Sequence, residues 1–394
     1  MKSISEISFN GKKVFIRTDF NVPFNDSGEI SDSSRIVAAL PTIEYVLSNG
    51  GACILASHLG RPVGKTPELS LKKIIPELKT LLQKEIMFLE DPIGAETKET
   101  CSSLQNGEIV LLENLRFYEE ETKADIDFAK ELSSLADIYI NDAYGTTHRK
   151  HASTATIAQF FVEKAPGILL EKEIKSLKKL MEKPKRPVTA IIGGAKVSSK
   201  ISVIANILGF VDNLIIGGGM AYTFIKNSGG RIGDSIFEAD RLKDCSEILS
   251  KAKQKNVDVF LPEDVLCSNE FSDAGLQKVT DVYKIPDGWQ GLDIGPNTAY
   301  KFKQVIQGSR TILWNGPMGV FEIPSFEKGT KSVASAVVKA TQNGAYSVIG
   351  GGDSVAAIKK FDLQEQVSFI STGGGAMLES LEGKLLAGIK ALSQ

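Results

Sequence analysis

Residues 188–196 read VTAIIGGAK, an unbroken apolar and β-branched run that stops on two glycines and a lysine. A strand with one face in water alternates apolar and polar residues. A continuous run of this length suits a strand covered on both faces, as in a parallel sheet. The design recurs on both sides. Downstream lie NLIIGGGM (213–220), VDVFLPED (257–264), RTILWNGP (310–317), YSVIGGGD (346–353) and VSFISTGGGA (367–376); upstream lie KVFIRTDF (13–20), ACILASHLG (52–60), IVLLENLRF (109–117) and IYINDAYG (138–145). Segments of helical spacing, such as Leu71 to Leu82 and Asp125 to Leu135, separate them. Strands alternating with helices predict an α/β chain with parallel sheets, whose ligands bind outside the carboxyl ends of the strands.

Those ends differ between the two halves. In the second they are glycine clusters: Gly193-Gly194, Gly217 to Gly219, Gly350 to Gly352 and Gly373 to Gly375. In the first they are basic, carrying all three histidines (His58, His148, His151) and five of the nine arginines (Arg17, Arg35, Arg61, Arg116, Arg149). Lysine outnumbers arginine 37 to nine, so arginine is not the default solubilising cation. Arginine offers a planar fork of donors to carboxylate or phosphate, whereas glycine lets backbone N–H groups approach an anion closely. The pattern predicts two anion sites of different construction.

Composition narrows the class. The 394 residues suffice for two domains, and 46 basic against 48 acidic residues give a net charge of -2, which argues against a nucleic-acid or membrane-surface protein. Cys53, Cys101, Cys245 and Cys267 form no CxxC pair, so neither a disulfide framework nor a zinc site is expected. No secretory h-region or membrane-length apolar run is present, and a cytoplasmic protein is expected. A boundary reads at residues 166–187, where Pro166-Gly167 interrupts the chain, Leu170, Ile174, Leu177 and Met181 mark one face of a linker helix, and KPKRP (183–187) ends it.

Glycine after a strand is often only a turn or a cap, but four clusters in one half call for another reason. Helix N-termini with open N–H groups receive phosphate. Neither GxxxxGK[ST] nor a first-strand GxGxxG is present, and the HRD and DFG elements of protein kinases are missing, so a nucleotide would bind by another scheme. In GGAKVSSK, Lys196 and Lys200 are spaced to share one face of the helix expected after the glycines; they are either a solvated pair or the flanks of an anion. Asp353 is either an N-cap or a ligand for a Mg²⁺ ion on nucleotide phosphates. In the first half, SHLGRP (57–62), DAYGTTHRKH (142–151) and the acceptors Asp19 and Asn21 suit a small, polar, multiply anionic guest. A dinucleotide-dependent dehydrogenase would require the absent glycine fingerprint. A non-catalytic two-lobed binding protein would leave glycine clusters confined to one half unexplained.

RTDFNVP (17–23), SHLGRP, LLENLRF (111–117), NDAYGTTHR (141–149), GGAKVSSK (193–200), WNGPMGVFE (314–322), GGGDS (350–354) and STGGGA (371–376), in this order, closely resemble phosphoglycerate kinases over essentially the whole chain. The resemblance implies two Rossmann-like lobes, each a parallel sheet with helices on both faces. Residues 1–165 would bind phosphoglycerate, 166–187 would form the linker and hinge, 188–377 would bind nucleotide, and 378–394 would return to the first lobe. It implies reversible phosphoryl transfer between 1,3-bisphosphoglycerate and MgADP, giving 3-phosphoglycerate and MgATP, in a cytoplasmic monomer that binds neither nucleic acid nor membrane.

Carried onto this sequence, the resemblance implies substrate contacts at Asp19, Phe20, Asn21, Arg35, His58, Leu59, Gly60, Arg61, Arg116 and Arg149. Nucleotide contacts would come from Gly194, Ala195, Lys196, Lys200, Gly218, Gly291, Leu292, Asn315, Pro317, Glu322, Gly351, Gly352, Asp353 and Ser354. Asp353 would ligate Mg²⁺, and Arg35, Lys200, Gly373 and Gly374 would act on the moving phosphoryl group. Ser354 and Thr18 stand where threonine and an aliphatic residue are common in the family, and neither change removes needed chemistry.

Overall fold

In the computed structural model, which describes residues 1–394, every apolar run quoted above becomes a strand of a parallel sheet. The first sheet contains β1 (Lys13–Arg17), β2 (Ala52–Ala56), β3 (Met87–Leu89), β4 (Ile109–Leu112), β5 (Ile138–Asn141) and β6 (Glu163–Pro166), in the order β3-β4-β2-β1-β5-β6. Next along the chain come β7 (Val188–Ile192), β8 (Asn213–Ile216), β9 (Arg231–Ile232), β10 (Asp258–Phe260), β11 (Asp264–Ser268), β12 (Gln277–Asp281), β13 (Lys284–Ile285), β14 (Gln290–Ile294), β15 (Thr311–Asn315), β16 (Tyr346–Ile349) and β17 (Phe369–Ile370). The second six-stranded sheet has the order β10-β8-β7-β15-β16-β17. A small antiparallel sheet, β12-β11-β14, and the pair β13-β9 complete the strands.

Both large sheets switch direction beside their first strand. In each, the chain runs outward on one side before crossing to the other, so the crevices open at the carboxyl ends of β1 and β5 and of β7 and β15. Burial explains the continuous apolar runs: β2, β4, β5, β7 and β15 are buried at every residue. Helix Ser34–Ser48 turns Ile36, Ala39, Ile43 and Val46 inward at three- and four-residue spacing, closing one core with Ile16, Leu55 and Ile140. In the second sheet, Trp314 packs with Val333, Val337 and Ala340 of helix Lys328–Gln342.

The chain divides into two compact units, Met1–Lys175 with Leu385–Gln394, and Ser176–Lys384. Passage between them occurs within helix Ile168–Met181. Its buried face is Leu170, Glu173, Leu177 and Leu180, and Ile174 and Met181 sit only at its margin. The helix is rooted in the first unit. Thr42 Oγ1 accepts from the Ile168 N–H at 2.8 Å, and the buried Asp142 carboxylate accepts from Leu170 N–H at 3.1 Å. Pro166 ends β6 at the sheet edge, where a missing N–H costs no ladder bond. Asp125 caps helix Ile126–Ser133, accepting from Phe128 N–H at 2.8 Å. Leu71–Leu82 begins as a 3₁₀ turn, Leu71–Ile74, before helix Ile75–Leu82.

Ile16 lies fully buried between Leu55 and Ile140 of the neighbouring strands. Ile16→Ala is expected to cost the first unit about 2–5 kcal/mol, read as a lower urea midpoint of its unfolding transition.

Candidate active site

At the carboxyl end of the first sheet, seven basic side chains converge. Arg17 closes β1, His58 follows β2, Arg116 follows β4, and His148, Arg149 and His151 follow β5. Arg35 comes from the first turn of helix Ser34–Ser48. Arg17 is completely buried, with Nε donating to Ser153 Oγ at 2.7 Å and Nη2 3.9 Å from Glu121. Glu121, itself fully buried, accepts from the Ser153 N–H at 2.9 Å and Oγ at 2.7 Å. Arg17 therefore supports the site from beneath.

The pKa shifts record this crowding. Burial and then the charges of Arg17, Arg116, Arg35 and Arg149 hold His58 well below its usual value. Burial, with Arg116, Arg17, Arg149 and His148, holds His151 at about 4. Burial and the neighbouring arginines lower Arg116 to about 10. Asp19 is the acid on the open side: both its oxygens accept from Arg35 Nη1 at 3.1 Å, and His58 Nδ1 lies 3.9 Å away.

Of the expected substrate residues, Asp19, Arg35, His58, Arg116 and Arg149 share this cluster. Asn21 Oδ1 accepts from the Gly60 N–H at 2.8 Å, and Arg116 Nη1 donates to Gly60 O at 2.6 Å. Arg61 follows with its side chain exposed. The side chains of Phe20 and Leu59 belong to the apolar core, leaving only their backbones to the site.

One organiser escaped the sequence reading although it stands inside the quoted LLENLRF. Asn114 is fully buried; its Nδ2 donates to Leu59 O and Leu69 O, both at 2.8 Å, and its Oδ1 accepts from Arg116 N–H at 3.1 Å. It ties the His58–Arg61 turn to Arg116.

In the second unit the crevice between β7 and β15 is built from backbone. A side chain at Gly193 would overlap Pro317 O, and one at Gly316 would overlap Gly193 itself, so only glycine permits this approach. A cavity of about 440 Å³ opens there, lined by Lys196, Lys200, Asn315, Gly351, Asp353 and Gly374 among others. A second, about 380 Å³, is bounded by Gly218, Tyr222, Ile236, Gly291, Leu292 and Pro317, with the exposed Glu322 at its rim. The two share Gly194, Ala195 and Asp353. Gly352 and Ser354 line the first cavity too. Gly373 lies just outside that lining, its N–H directed to Ser371 Oγ at 3.3 Å.

Lys200 donates to Asn315 Oδ1, while Asn315 Nδ2 donates to Gly350 O at 2.9 Å. Burial lowers the Lys200 pKa, and Asp353 opposes the shift. The alternatives left open by the sequence now separate. Gly351 caps helix Gly352–Lys360, and Asp353 is exposed in its first turn without capping it, which leaves its carboxylate available to a cation. Lys196 and Lys200 do not share a helical face, because the helix begins only at Ile201. The intervening residues form a turn, closed by Lys200 N–H to Val197 O at 2.8 Å, and Glu238 takes the Ser198 N–H at 2.9 Å. The Ser354 hydroxyl accepts from Gly316 N–H at 2.5 Å, so it shapes the loop.

Comparison with known proteins shows the family to which the chain belongs. The phosphoglycerate kinase family model matches residues 4–384. The phosphoglycerate kinase of Porphyromonas gingivalis is 48% identical, with 99% of each chain covered. A cytosolic phosphoglycerate kinase of Arabidopsis thaliana is 47% identical over 100% of this chain and 98% of its own. Among solved structures, phosphoglycerate kinase from Coxiella burnetii superposes with a TM-score of 0.91 at 39% identity, covering 100% of this chain and 99% of its own. That from Pyrococcus horikoshii gives 0.86 at 32%, covering 100% and 98%.

The depressed histidines have a consequence for acid stability. His151 is neutral in the folded protein down to about pH 4, whereas an unfolded histidine takes a proton near pH 6.5. Its contribution is present above about pH 6.5 and lost as pH falls towards 4. His151→Gln should therefore flatten the fall in urea midpoint between about pH 6.5 and pH 4.

Proposed function

The chain belongs to the phosphoglycerate kinase family, and from that premise we propose that the basic crevice holds the phosphoglycerate and the glycine-lined cavities hold the nucleotide. It is a glycolytic kinase that transfers a phosphoryl group between ATP and the carboxyl group of 3-phosphoglycerate. The observation that carries the assignment of sites is Lys200, half-buried and near Asp353 in a cavity lined largely by glycines.

The chemistry asks little of acids and bases. The acceptor is a carboxylate, ionised at neutral pH because such groups titrate around 4. No side chain need remove a proton, and His58 and His151 are held neutral by burial and the arginines around them. Arg116, Arg149, His58 and Asn21 bind and orient the substrate. Arg35 spends one nitrogen on Asp19 and keeps further N–H donors for the phosphoryl group in transit. Lys200 and the backbone at Gly373-Gly374 face the same charge from the nucleotide side. Direct in-line transfer then depends on position and on stabilised equatorial oxygens.

The nucleotide brings a divalent cation. No group of three or more His, Cys, Asp or Glu side chains suited to a metal exists in the chain. A Mg²⁺ ion held by phosphate oxygens, water and one carboxylate suits that supply, and Asp353 is the carboxylate. Bound there, it would neutralise phosphate charge.

Because separate units hold the two ligands, transfer requires the units to close until the reacting atoms lie roughly 3 Å apart, with the segment 166–187 absorbing the motion. We place the protein in the cytosol, as its cytosolic relatives suggest, and as a monomer; no helix is long and apolar enough to cross a membrane.

A coupled assay of ATP-dependent 3-phosphoglycerate phosphorylation tests the assignment. Arg35→Ala and Lys200→Ala should each lower kcat by on the order of 10²-fold or more, and turnover within a few-fold of wild type would remove them from the reaction. Solution scattering tests closure separately. The radius of gyration should fall only when 3-phosphoglycerate and a non-hydrolysable MgATP analogue are both present, and an unchanged profile would exclude it.

A further inference from the structure

The segment Ser235–Glu238 leads from β9 towards helix Leu242–Gln254; its Ile236 lines the 380 Å³ cavity, and its Glu238 bonds to Ser198, beside the Lys196, Ser199 and Lys200 that line the 440 Å³ one. Ser235 is buried, and its Oγ accepts from the Gly291 N–H at 2.9 Å, on the wall where Gly291 and Leu292 bound the 380 Å³ cavity. Ile236 forms part of that wall and packs on Gly219, yet 48% of its surface is exposed. Glu238 reaches the other way. Its Oε2 accepts from the Ser198 N–H at 2.9 Å and its Oε1 from the Ser198 hydroxyl at 2.5 Å. Its own N–H donates to Thr223 Oγ1 at 3.2 Å, in the helix whose Tyr222 lines the same cavity.

A carboxylate here has a cost. It sets a negative charge beside Lys196, within the loop that flanks the phosphate cavity, where a further anion is electrostatically unhelpful. What it gains is a two-pronged grip on the N–H and the hydroxyl of Ser198, one with each oxygen, which a single hydroxyl or amide oxygen does not match. Those donors belong to the turn joining Lys196 to Lys200. The turn closes at Lys200, just before the helix that starts at Ile201, and both lysines line the 440 Å³ cavity.

We infer that Glu238 is a positioning residue that couples the nucleoside cavity to the phosphate loop, so that filling the cavity beside Ile236 fixes the placement of Lys196 and Lys200. The inference rests on the nucleotide reading above. The half-exposed Ile236 gains burial when a base enters, which orders the four-residue strap and the carboxylate at its end. The coupling is reciprocal: phosphate in the loop strengthens nucleoside binding by the same factor.

The test uses the intact protein and separates the two halves of the nucleotide. Inorganic tripolyphosphate with Mg²⁺ is titrated calorimetrically with and without saturating adenosine, on wild type, Glu238→Ala, Glu238→Gln and Ser198→Ala. Adenosine should tighten tripolyphosphate several-fold in wild type, not at all in Glu238→Ala, and by an intermediate factor in Glu238→Gln. Ser198→Ala should lose part of the effect, and adding it to Glu238→Ala should change nothing further. In steady state, Glu238→Ala should raise KM for MgATP on the order of tenfold, the loss of one charge-assisted brace, with KM for 3-phosphoglycerate within twofold. Coupling that survives Glu238→Ala, or is absent from wild type, overturns the inference and leaves the nucleotide site standing. Adenosine that does not bind wild type at all overturns both.

Discussion

Like charges crowd the carboxyl edge of the first sheet, and much of that unit is organised to contain the repulsion. Four guanidinium groups and three imidazoles meet around β1, β2, β4 and β5, with Asp19 and Glu121 as acids that oppose their charge. Two devices hold them. Glu121 is buried beneath Arg17 and takes both donors of Ser153, which in turn receives Arg17 Nε. His58 and His151 stay neutral, which removes two charges from the sum. The hydrogen bonds of Asn114 then fix the spacing of the two turns that carry His58 and Arg116. What remains is a fixed excess of positive charge, which an incoming anion relieves.

The second unit meets a similar need with two lysines, Lys196 and Lys200, set among glycines in place of an arginine cluster. Gly193 and Gly316 bring two loops into backbone contact, and polar side chains are spent on holding the loops open. Asn315 bridges Lys200 and Gly350, and Ser354 receives the Gly316 N–H. Backbone donors keep no ionic partner of their own, so they do not repel one another as guanidiniums do. A polyphosphate, long and accompanied by a cation, matches a lining of many weak donors. A small substrate carrying a phosphate and a carboxylate matches a few strong ones.

Much of this was legible in the sequence because strand ends carry their chemistry next to their apolar runs. RTDF, SHLG and IIGGAK each put a candidate site residue within a few positions of a buried strand, so the parallel sheets and the two candidate anion sites followed from local pattern. The legibility failed where a role depends on residues distant in sequence. Glu119, Glu120 and Glu121 look alike as letters, yet only Glu121 is buried, because the segment at His151–Ser153 folds over it. Lys196 and Lys200 had helical spacing, but the helix begins only at Ile201, and the Ser198 N–H between them goes to Glu238, 40 residues away. Short strands such as β3 and the hairpin-like β11-β12-β14 sheet were lost for a related reason. At two to five residues they carry little periodicity of their own and depend on their neighbours for burial.

The neutral histidines also determine where pH sensitivity resides. Guanidinium groups keep their charge throughout the physiological range, and His58 and His151 are already uncharged there, since their pKa values lie below it. The charge these groups contribute to the basic crevice therefore stays constant as pH moves between about 6 and 8. A phosphate monoester changes its charge in that interval, because its second ionisation falls near 6. Variation of affinity with pH in this range then follows the guest more than the host. This differs from a histidine-based anion site, which would lose its own charge just as the phosphate gains its second. Arginines beside the neutral His58 and His151 keep these groups and the guest from titrating against each other.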